Sequence, residues 1–441
     1  MSASHADQIE VSMPSHRPAG WQVKLIGELT DVSAGGTPAT AEESYWNPPE
    51  VPWMSSGEVH QRRVRRTEQH ISKLGLKNSA AKVFPKESIV MALAGQGKTR
   101  GCVAVLEAEV ATNQSLAAIY PSDAFETDFL FHNLDWRYKE LRALSSGEGG
   151  RGGLNLSIIK SIPVELPSKG EQKKIAAILT TVDDKLDVLA RQIEATQTLK
   201  QGLMQTLFSR GVGTQDADAR WLPHAEFKGT ELGDVPLCWD VQCLEALSES
   251  ITVGIATSTT EHYADSGIPL IRNQNIKEDY LDLSDLLRIT PEFDAKNKNK
   301  RVKAGDILTV RTGYPGTTCV VPEGLGLVQT FTTLITRPRH DVLHAHFASR
   351  YFNSPRGKKL MLHQAAGGAQ QNINAGNLKK LLVPVPPMCE QVRIAEVLAA
   401  VDAKAKVLQE RSVHYRAMKR GLMQKLLTGE WRVKVDAEMA A

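Results

Sequence analysis

The chain has 441 residues, of which 41% are hydrophobic and 23% are charged, and its formal net charge is +3. This length predicts two to four domains, each with its own hydrophobic core. The sequence has no apolar run of 18 residues and no basic start followed by an apolar segment, which argues against a membrane-spanning helix or a secretion signal and predicts a cytoplasmic protein. The cysteines show no CxxC spacing, so reduced core thiols are predicted rather than disulfides or a zinc knuckle; they are Cys102, Cys238, Cys243, Cys319 and Cys389.

The first globular block is predicted over residues 21–167, after a disordered tail over residues 1–20. Short β-rich runs in this block are bounded by glycine, proline and asparagine, the pattern of strands joined by turns. These runs are residues 89–93, 102–106 and 116–120, and a helical run follows over residues 125–144. The fold class predicted for the block is therefore α+β.

Several polar side chains of the first block have the chemistry of DNA contacts. A basic cluster formed by Arg62, Arg63, Arg65 and Arg66 could neutralise phosphates, although a solvated charged face would give the same pattern. At base edges arginine pairs with guanine, and asparagine or glutamine pairs with adenine. The turns of the block offer Gln96, Lys98, Arg100, Asn113, Gln114 and Arg151. Each of these residues, taken singly, also has a structural explanation.

A long helix is predicted over residues 168–212. Its apolar residues recur at alternating steps of four and three, which is how a helix buries one narrow face. They are Ile175, Leu179, Val182, Leu186, Leu189 and Ile193. A seam this narrow suits a single partner helix in a coiled coil.

A linker over residues 213–236 leads to a second α+β block, predicted over residues 237–387. Its β-rich runs are residues 307–311, 319–322 and 332–336, and its helical run is residues 346–363. A second basic cluster comprises Lys296, Lys298, Lys300, Arg301 and Lys303. Candidate base-reading residues of this block are Arg272, Asn273, Gln274, Asn275, Arg311, Tyr314, Gln329, Gln370, Gln371 and Asn372.

A second long helix is predicted over residues 388–430, before a C-terminal tail over residues 431–441. Residues 171–211 and 390–430 align without a gap at an offset of 219, and 16 of the 41 pairs are identical, where chance would give roughly two or three. The second copy repeats the apolar stripe with Ile394, Leu398, Val401 and Leu408. The chain is therefore a tandem duplication.

The two long helices, each roughly 60 Å long, are predicted to pair with each other as an antiparallel coiled coil. The alternative is two unrelated surface helices that share an ancestor. Gly202 and Gly421 interrupt the two copies at the same place, and the preferred explanation is a close crossing of the helices, since glycine otherwise costs about 1 kcal/mol relative to alanine.

The duplication extends into the blocks, although their loops diverge. Trp21 aligns with Trp239 at an offset of 218, and Gln114-Ser115 is aligned with Gln329-Thr330 at an offset of 215. In contrast, the loop at residues 55–58 reads SSGE where the loop at residues 272–275 reads RNQN. Two similar frames with different polar loops suit a protein that reads two different half-sites across an unread spacer. The helices would then fix the spacing.

Other motifs suggest different chemistry but lack the required context. Residues 92–99 fit a relaxed phosphate loop with Lys98 and Thr99, but strand-like residues follow where a helix is needed. A phosphate-loop NTPase is thus a weak alternative, and a coiled-coil scaffold without a DNA role is another. Residues 47–50, NPPE, lack the aromatic residue of an adenine methyltransferase loop.

Two further groups of residues are interpreted as structural. His340, His344 and His346 lack a cysteine that would complete a metal site, and solvated or helix-capping histidines are predicted. Asp294 and Lys296 form half of a nuclease signature, but no upstream acidic partner accompanies them, so they are predicted to be part of a charged loop. The chain is predicted to bind rather than to catalyse.

The order of several soft motifs resembles the specificity subunit of a type I restriction-modification system, from Trp21 to about Glu430. The strongest are the proline-rich exit VPVPP at residues 383–387, which leads into Glu390-Gln391, and the GLMQ segments that begin at Gly202 and Gly421. The others are GGTP at residues 35–38, YW at 45–46, VPW at 51–53, GQGKTRG at 95–101, NQ at 113–114 and LGDVP at 232–236 before Trp239.

This resemblance implies two target-recognition domains, one per block, and an antiparallel coiled coil between the long helices. It implies partners as well: double-stranded DNA, two methyltransferase subunits that use S-adenosylmethionine, and restriction subunits that use ATP and Mg²⁺. The chain itself would hold no cofactor or metal and would have no catalytic residues. One departure is ITVG at residues 251–254 in place of GGTP, so the entry loop of the second domain is expected to sit differently.

Overall fold

The structure is a computed structural model that describes residues 18–95, 98–144, 153–364 and 372–435. The chain divides into two compact units. Unit 1 comprises Met1–Ala190 together with Arg411–Ala441, and unit 2 comprises Arg191–Glu410. Each unit therefore combines one globular block with a portion of both long helices.

The first half of the chain forms a mixed α+β block followed by one long helix. Its elements are β1 Gln22–Leu25, α1 Ile26–Leu29, β2 Val32–Ala34, β3 Val51–Met54, β4 Arg63–Val64, β5 Gln69–Ile71, α2 Lys73–Lys77, β6 Val83–Phe84, β7 Ile89–Ala92, β8 Val103–Leu106, β9 Val110–Thr112, β10 Leu116–Ile119, α3 Thr127–Trp136, α4 Tyr138–Ala143, α5 Leu156–Lys160, β11 Pro163–Leu166 and α6 Lys169–Arg210.

Two sheets build the block of unit 1. A five-stranded sheet has the order β2-β10-β7-β8-β4, and a four-stranded sheet has the order β5-β3-β9-β6. The central strands β7, β8 and β10 are buried on both faces, because one face packs in the core that contains α3 and the other packs against residues of the second sheet, so these strands read as continuous apolar runs rather than as alternating ones. The pair β1 and β11 joins the two ends of the block.

The second half of the chain repeats this plan. Its elements are β12 Thr214–Gln215, β13 Trp221–Leu222, β14 Phe227–Thr230, β15 Gly233–Pro236, β16 Asp240–Cys243, β17 Ser248–Val253, β18 Tyr263–Ile271, β19 Ile276–Lys277, β20 Tyr280–Leu281, β21 Leu287–Ile289, α7 Pro291–Lys296, β22 Ile307–Thr309, β23 Thr318–Val320, β24 Gln329–Thr330, β25 Leu334–Pro338, α8 Ala345–Asn353, α9 Pro355–Gln364, α10 Ala375–Lys379, β26 Leu382–Val385 and α11 Met388–Leu427.

The sheets of unit 2 follow the same topology, which confirms the predicted α+β duplication. The orders β17-β25-β22-β23 and β21-β18-β24 match those of unit 1 without its edge strands β4 and β6, and β16 pairs with β26 as β1 pairs with β11. The segment predicted as a linker contains two hairpins, β12 with β13 and β14 with β15.

One sequence alignment within the duplication is wrong. Met54 lies opposite Thr112 in the parallel pair of β3 and β9, and Ile271 lies opposite Thr330 in the parallel pair of β18 and β24. Thr330 therefore corresponds to Thr112 at an offset of 218, and Gln329 does not correspond to Gln114. The similarity of Gln114-Ser115 to Gln329-Thr330 is local and does not follow the strand register.

The entry loops of the two blocks are expected to sit differently, but both pass the equivalent strands β9 and β24 at the same place. A Cβ atom on Gly35 would lie 2.1 Å from the carbonyl oxygen of Thr112, and one on Gly254 would lie 2.3 Å from the carbonyl oxygen of Thr330. Both loops approach an equivalent backbone carbonyl so closely that only glycine fits. Gly254 thus takes the place of Gly35 despite the different motif.

Two helical runs predicted as continuous are each broken once. The run over residues 346–363 divides at Ser354, whose backbone is extended (ψ 155°) because Pro355 follows it. The run over residues 125–144 divides at Arg137, which ends α3 with ψ of 13°.

The long helices run antiparallel in each unit. In unit 1, Ile175 and Leu179 at the start of α6 share a core with Met423 and Leu426 near the end of α11. In unit 2, Leu207 and other residues near the end of α6 share a core with residues at the start of α11, among them Ile394 and Leu398. This packing supports the predicted coiled coil and not two unrelated surface helices.

The predicted seam positions lie on the covered side of both helices. Most of them are buried, namely Ile175, Leu179, Val182, Leu189, Ile394, Leu398 and Leu408. Leu186, Ile193 and Val401 are half-buried. The same side of each helix stays covered further along, at polar positions: Thr196 and Ser412 are buried as well.

The explanation predicted for the helix glycines is wrong. A Cβ atom added to Gly202 or to Gly421 would meet no other atom within 4 Å beyond the helix's own backbone. Close crossing of the helices therefore does not require glycine at either position.

Among the described residues, no helix combines the length and the apolar character that a membrane span needs.

The prediction of five core thiols is only partly correct. Cys319 is buried, and Cys102 and Cys243 are half-buried. Cys238 and Cys389, in contrast, are exposed. Cys238 lies just after the end of β15, and Cys389 lies in the first turn of α11.

Candidate nucleic-acid interface

The polar loop after β18 is held in place by its own last residue. The Asn275 side-chain oxygen accepts the Arg272 backbone N–H at 2.9 Å and caps the 3₁₀ turn Asn273–Asn275. Its side-chain nitrogen donates to the backbone carbonyls of Asp282 and Asp285. Asn275 is 2% exposed, so its role is to position the loop, and Arg272, Asn273 and Gln274 carry the remaining polar groups.

Two other predicted loops of unit 2 meet this one. The Tyr314 hydroxyl donates to the Asn273 carbonyl at 2.9 Å, and the Asn273 side-chain nitrogen donates to the Thr312 hydroxyl at 3.3 Å. Arg311 Nε donates to the Asn372 side-chain oxygen at 3.1 Å. The structure thus gathers one surface, called polar face 2, from Arg272, Asn273, Gln274, Arg311, Tyr314 and Asn372.

One carboxylate restrains two donors of polar face 2. Arg272 Nη2 and Gln274 Nε2 each lie 3.2 Å from Asp285 Oδ2. The Asp285 side chain is 74% exposed, and an ion pair this open to water contributes little free energy. Arg272 and Gln274 can therefore exchange Asp285 for another acceptor at small cost.

The matching loop of unit 1 uses the same capping device with a different residue. Glu58 accepts the Ser55 backbone N–H at 2.8 Å and starts the 3₁₀ turn Ser56–Gln61. Glu58 is 6% exposed and takes the place of Asn275. The capping residue is thus acidic in one unit and an amide in the other, and the residues beside it differ completely.

Further polar residues of unit 1 gather around this loop. His60 Nε2 lies 3.3 Å from the Thr99 hydroxyl, next to the exposed Lys98. The Gln114 side-chain oxygen accepts from the Thr37 hydroxyl, and the Asn113 side-chain oxygen accepts the Ser115 N–H. We call polar face 1 the set Thr37, Ser55, His60, Lys98, Thr99, Asn113 and Gln114. Arg100 is half-buried and has partners in the described chain.

The two faces occupy equivalent places in the repeated frame. Leu154 N donates to the Leu93 carbonyl at 2.8 Å in unit 1, and Ile373 N donates to the Arg311 carbonyl at 3.2 Å in unit 2. The candidate residues Gln96, Arg151, Gln370 and Gln371 belong to the adjoining segments and lie outside the described residues.

The segment resembling a phosphate loop is a turn between strands. Ala92 N donates to the Cys102 carbonyl, and Gly101 N donates to the Ala92 carbonyl, which closes a hairpin between β7 and β8. Lys98 and Thr99 lie in that turn and precede a strand, so the helix that a phosphate loop needs is missing there.

Three of the four arginines of the first basic cluster form ion pairs within unit 1. Arg62 lies 2.8 Å from Asp135 and 3.0 Å from Asp183, and Arg63 lies 2.8 Å from Asp128. Arg65 is exposed but pairs with Glu107. Arg66 is exposed and forms no ion pair with a described residue, so it is the member of the cluster that is open to a phosphate.

The second basic cluster is more open. Lys296, Lys298 and Lys303 are exposed, and Lys300 is half-buried. Arg301 differs, because its guanidinium pairs with Asp294, which lowers the pKa of that carboxyl. Gln329 is fully buried beside them, and its side-chain nitrogen donates to Asp294 at 2.9 Å and to the Asn297 carbonyl, so this nitrogen is occupied inside the unit. Asp294 is thus a structural acid, but it lies in α7 and is 2% exposed, so its prediction as part of a charged loop is wrong.

The predicted histidine cluster caps a helix. His344 is the N-cap of α8, and its Nδ1 accepts the Phe347 backbone N–H at 3.3 Å. Burial lowers the pKa of His344 and of His346. These histidines remain neutral hydrogen-bonding groups at neutral pH, in agreement with the helix-capping interpretation.

Sequence reasoning missed an ion-pair network that joins the block of unit 1 to both long helices. Asp183 of α6 lies 2.6 Å from Lys419 of α11 and 3.0 Å from Arg62. Burial alone would lower the pKa of Arg62, but Asp135 and Asp183 raise it above its ordinary value. Burial would raise the pKa of Asp183, but Arg62 and Lys419 lower it. Arg62 and Asp183 are therefore charged at neutral pH.

Unit 2 contains the same network with two charges exchanged. Asp402 of α11 lies 2.7 Å from Lys200 of α6 and pairs with Arg350. Arg350 in turn faces Asp279 at 3.9 Å. Unit 1 has its arginine on the loop, at Arg62, and its acid on the helix α3; unit 2 has its acid on the loop, at Asp279, and its arginine on the helix α8.

The repeat itself held a signal for this network. The offset of 219 maps Asp183 onto Asp402 and Lys200 onto Lys419. Each long helix therefore carries an acid in its first part and a lysine in its last part. When the two helices are antiparallel, the first part of each lies beside the last part of the other, so the acid of each helix can pair with the lysine of the other. Each unit contains one such ion pair.

Comparison with known families gives one consistent result. The family model described as the type I restriction modification DNA specificity domain matches residues 18–197 and again residues 236–412. The two matches cover the two blocks and the adjoining parts of the long helices.

Curated relatives and solved structures agree with that match. The chain is 23% identical to the MjaVIII type I restriction enzyme specificity subunit of Methanocaldococcus jannaschii, over 95% of this chain and 94% of that one. It is 20% identical to the EcoKI specificity subunit of Escherichia coli K12, over 96% and 91%. The fold is similar to that of a type I restriction-modification S subunit from M. genitalium, with a TM-score of 0.58, 15% identity, and coverage of 92% of this chain and 96% of that one.

Proposed function

The chain belongs to the type I restriction modification DNA specificity family, and we propose that it recognises DNA sequence for such a system without catalysing a reaction itself. The relatives that match along nearly their whole length are named as specificity subunits of type I restriction enzymes. This chain would supply the same function to its own complex, in the cytoplasm where the chromosome lies.

The observation that carries the proposal is the contrast between frame and loops. Equivalent strands in the two units present different side chains at equivalent loops: Ser55 against Arg272, and Lys98-Thr99 against Gly313-Tyr314 in the turns that Gly101 and Gly316 close. Both faces carry asparagine and glutamine, but polar face 1 adds serine, threonine, histidine and lysine, whereas polar face 2 adds arginine and tyrosine, so the two faces would read different base edges. Each face would read one half of an asymmetric bipartite site.

Phosphate contacts would come from the open cations near these faces. Arg66 and, after release from Glu107, Arg65 are available in unit 1. Lys296, Lys298, Lys300 and Lys303 are available in unit 2. Such contacts supply affinity that depends on salt and fix the position on the duplex, whereas base contacts supply specificity.

The long helices would set the spacer between the half-sites. Their pairing is fixed by the apolar seam and by the crossed ion pairs Asp183–Lys419 and Asp402–Lys200, which resist sliding of one helix along the other. A change in helix length would then change the spacer and leave the half-site sequences unchanged.

The complex would also contain two methyltransferase subunits that use S-adenosylmethionine and, when it cleaves DNA, restriction subunits that use ATP and Mg²⁺. Those cofactors belong to the partners. The exposed sides of the two long helices are the surface we assign to the methyltransferase subunits.

The test is to express the chain with its methyltransferase subunit and to map methylated adenines across the host genome. The expected result is a single asymmetric site with two specific halves. Gln274→Ala should change the preference in one half only, and Gln242→Ala, a matched change at an exposed glutamine on β16 outside polar face 2, should change neither. A continuous palindromic site would overturn the proposal.

A further inference from the structure

Three residues far apart in the sequence meet at the first turn of α11. His224 lies between the two hairpins that follow α6, Cys238 follows β15, and Glu390 belongs to α11. One ligand atom from each lies within 4.8 Å of the others, and this is the only such group of three metal-ligating residues in the described chain. All three belong to unit 2.

Glu390 fixes the orientation of the imidazole. Its Oε1 accepts the backbone N–H groups of Val212 at 2.9 Å and Gly213 at 3.1 Å, and its Oε2 accepts Trp239 Nε1 at 2.8 Å. Oε1 also lies 2.9 Å from His224 Nε2. Because a carboxylate that receives these donors can only accept, Nε2 carries the proton, and Nδ1 of the neutral ring presents a lone pair.

That lone pair faces the sulfur of Cys238. His224 Nδ1 and Cys238 Sγ lie 3.8 Å apart. An ion bound at roughly 2.0–2.1 Å from nitrogen and 2.3 Å from sulfur spans this distance at an N–metal–S angle of about 120°. The two ligand atoms are therefore already separated as a shared cation requires, and the backbone need not move.

The surroundings favour a cation at this place. The negative charge of Glu390 beside His224 attracts a metal ion. A carboxylate that holds the far nitrogen of a ligating histidine is the usual outer partner of protein zinc sites. Cys238 is exposed, so water can complete the coordination.

From this geometry we propose that Cys238 Sγ and His224 Nδ1 bind a thiophilic divalent cation such as Zn²⁺ or Cd²⁺, with Glu390 as the group that positions His224. Binding replaces the thiol proton by the metal ion: the S–H bond breaks, an S–metal bond forms and the proton leaves to solvent. The ion would join His224, which lies between the two hairpins, to Cys238 after β15, and the contact of His224 with Glu390 would connect this segment to α11 within unit 2.

The experiment is a Cd²⁺ titration of the full-length chain, followed by the ultraviolet sulfur-to-cadmium charge-transfer band. The wild type should develop the band, and Cys238→Ser, a one-atom change at an exposed site, should lose it. His224→Gln and Glu390→Gln should each weaken binding by about 10-fold or more. Cys389→Ser is the matched control, because Cys389 is an equally exposed cysteine adjacent to Glu390, and it should retain the band.

A second readout uses Zn²⁺ and thermal unfolding. Zn²⁺ should raise the unfolding temperature of the wild type and of Cys389→Ser but not that of Cys238→Ser, and this comparison holds even if His224→Gln fails to fold. A band that persists in Cys238→Ser, a band lost in Cys389→Ser, or no band in the wild type would each overturn the site and would leave only a thiol–imidazole hydrogen bond. None of these outcomes depends on DNA recognition.

Discussion

The Asp183 carboxylate lies 2.6 Å from the Lys419 ammonium, and the same contact recurs between Asp402 and Lys200 at 2.7 Å. In each pair the acid comes from the first part of one long helix and the lysine from the last part of the other. The duplication therefore encodes one ion pair twice, and each copy secures one unit.

Removal of the acid should destabilise the unit that contains it. Asp183→Asn leaves Lys419 and Arg62 with only Asp135 as a partner, and partly buried cations without partners are costly. We expect the free energy of unfolding to fall by about 2 kcal/mol, somewhat less than for a fully buried pair. Urea denaturation of the isolated chain, followed by circular dichroism, measures this loss.

Asp402→Asn should give a loss of similar size in unit 2. Glu194→Gln, at an exposed position of α6, is the control and should change the free energy by less than about 0.5 kcal/mol. Equal effects of Asp183→Asn and Glu194→Gln would show that the ion pair contributes nothing.

Alanine at the helix glycines should stabilise the chain. Gly202 and Gly421 are helical, and a Cβ atom at either position meets open space. Each substitution should raise the free energy of unfolding by roughly 1 kcal/mol, because alanine restricts the unfolded chain and favours the helix. Urea midpoints of the two single variants and of the double variant test this, and a loss of stability would reveal a contact that needs glycine.

Acid should destabilise unit 1 through His132. Burial lowers the pKa of this histidine from 6.5 to about 3. Between those values the unfolded chain binds one more proton than the folded chain, so stability falls as the pH is lowered, by roughly 1.4 kcal/mol per pH unit. Above pH 6.5 the effect vanishes, since His132 is then neutral in both states.

The measurement is the free energy of unfolding from pH 7 to pH 4.5 for the wild type and for His132→Gln. The variant should show a shallower decline, because glutamine binds no proton in this range. His414→Gln, at an exposed histidine of α11, should keep the wild-type slope. Parallel curves for the wild type and His132→Gln would contradict the assignment.

Loss of a capping residue should affect one half-site at a time. Asn275→Ala removes three hydrogen bonds that hold the loop at Arg272, and Glu58→Ala removes the matching cap in unit 1. We expect each to weaken discrimination in one half of the DNA site by about 1–3 kcal/mol per affected base pair. Binding assays with half-site variants of the mapped sequence test this, and identical effects of both substitutions on both halves would contradict separate reading.

The sequence by itself determined the plan of this protein. The repeat at an offset of 219, the alternating steps from Ile175 to Ile193 and the apolar strand runs are local or periodic properties, so they survive without coordinates. They were enough for two α+β blocks, two long paired helices and the family resemblance. The sequence also identified the loops at Arg272, Tyr314 and Asn372 as polar, but it did not show that these loops lie side by side.

The tertiary structure alone decided what each polar side chain faces. Arg62 and Arg66 are four residues apart in one basic cluster, yet Arg62 is held by Asp135 and Asp183 and Arg66 is open. Gln329 is enclosed, and His224, Cys238 and Glu390 converge. The physical reason is that a side chain's partner is fixed by the packing of segments far apart in the chain, whereas periodicity reports only which side of a helix or strand is covered.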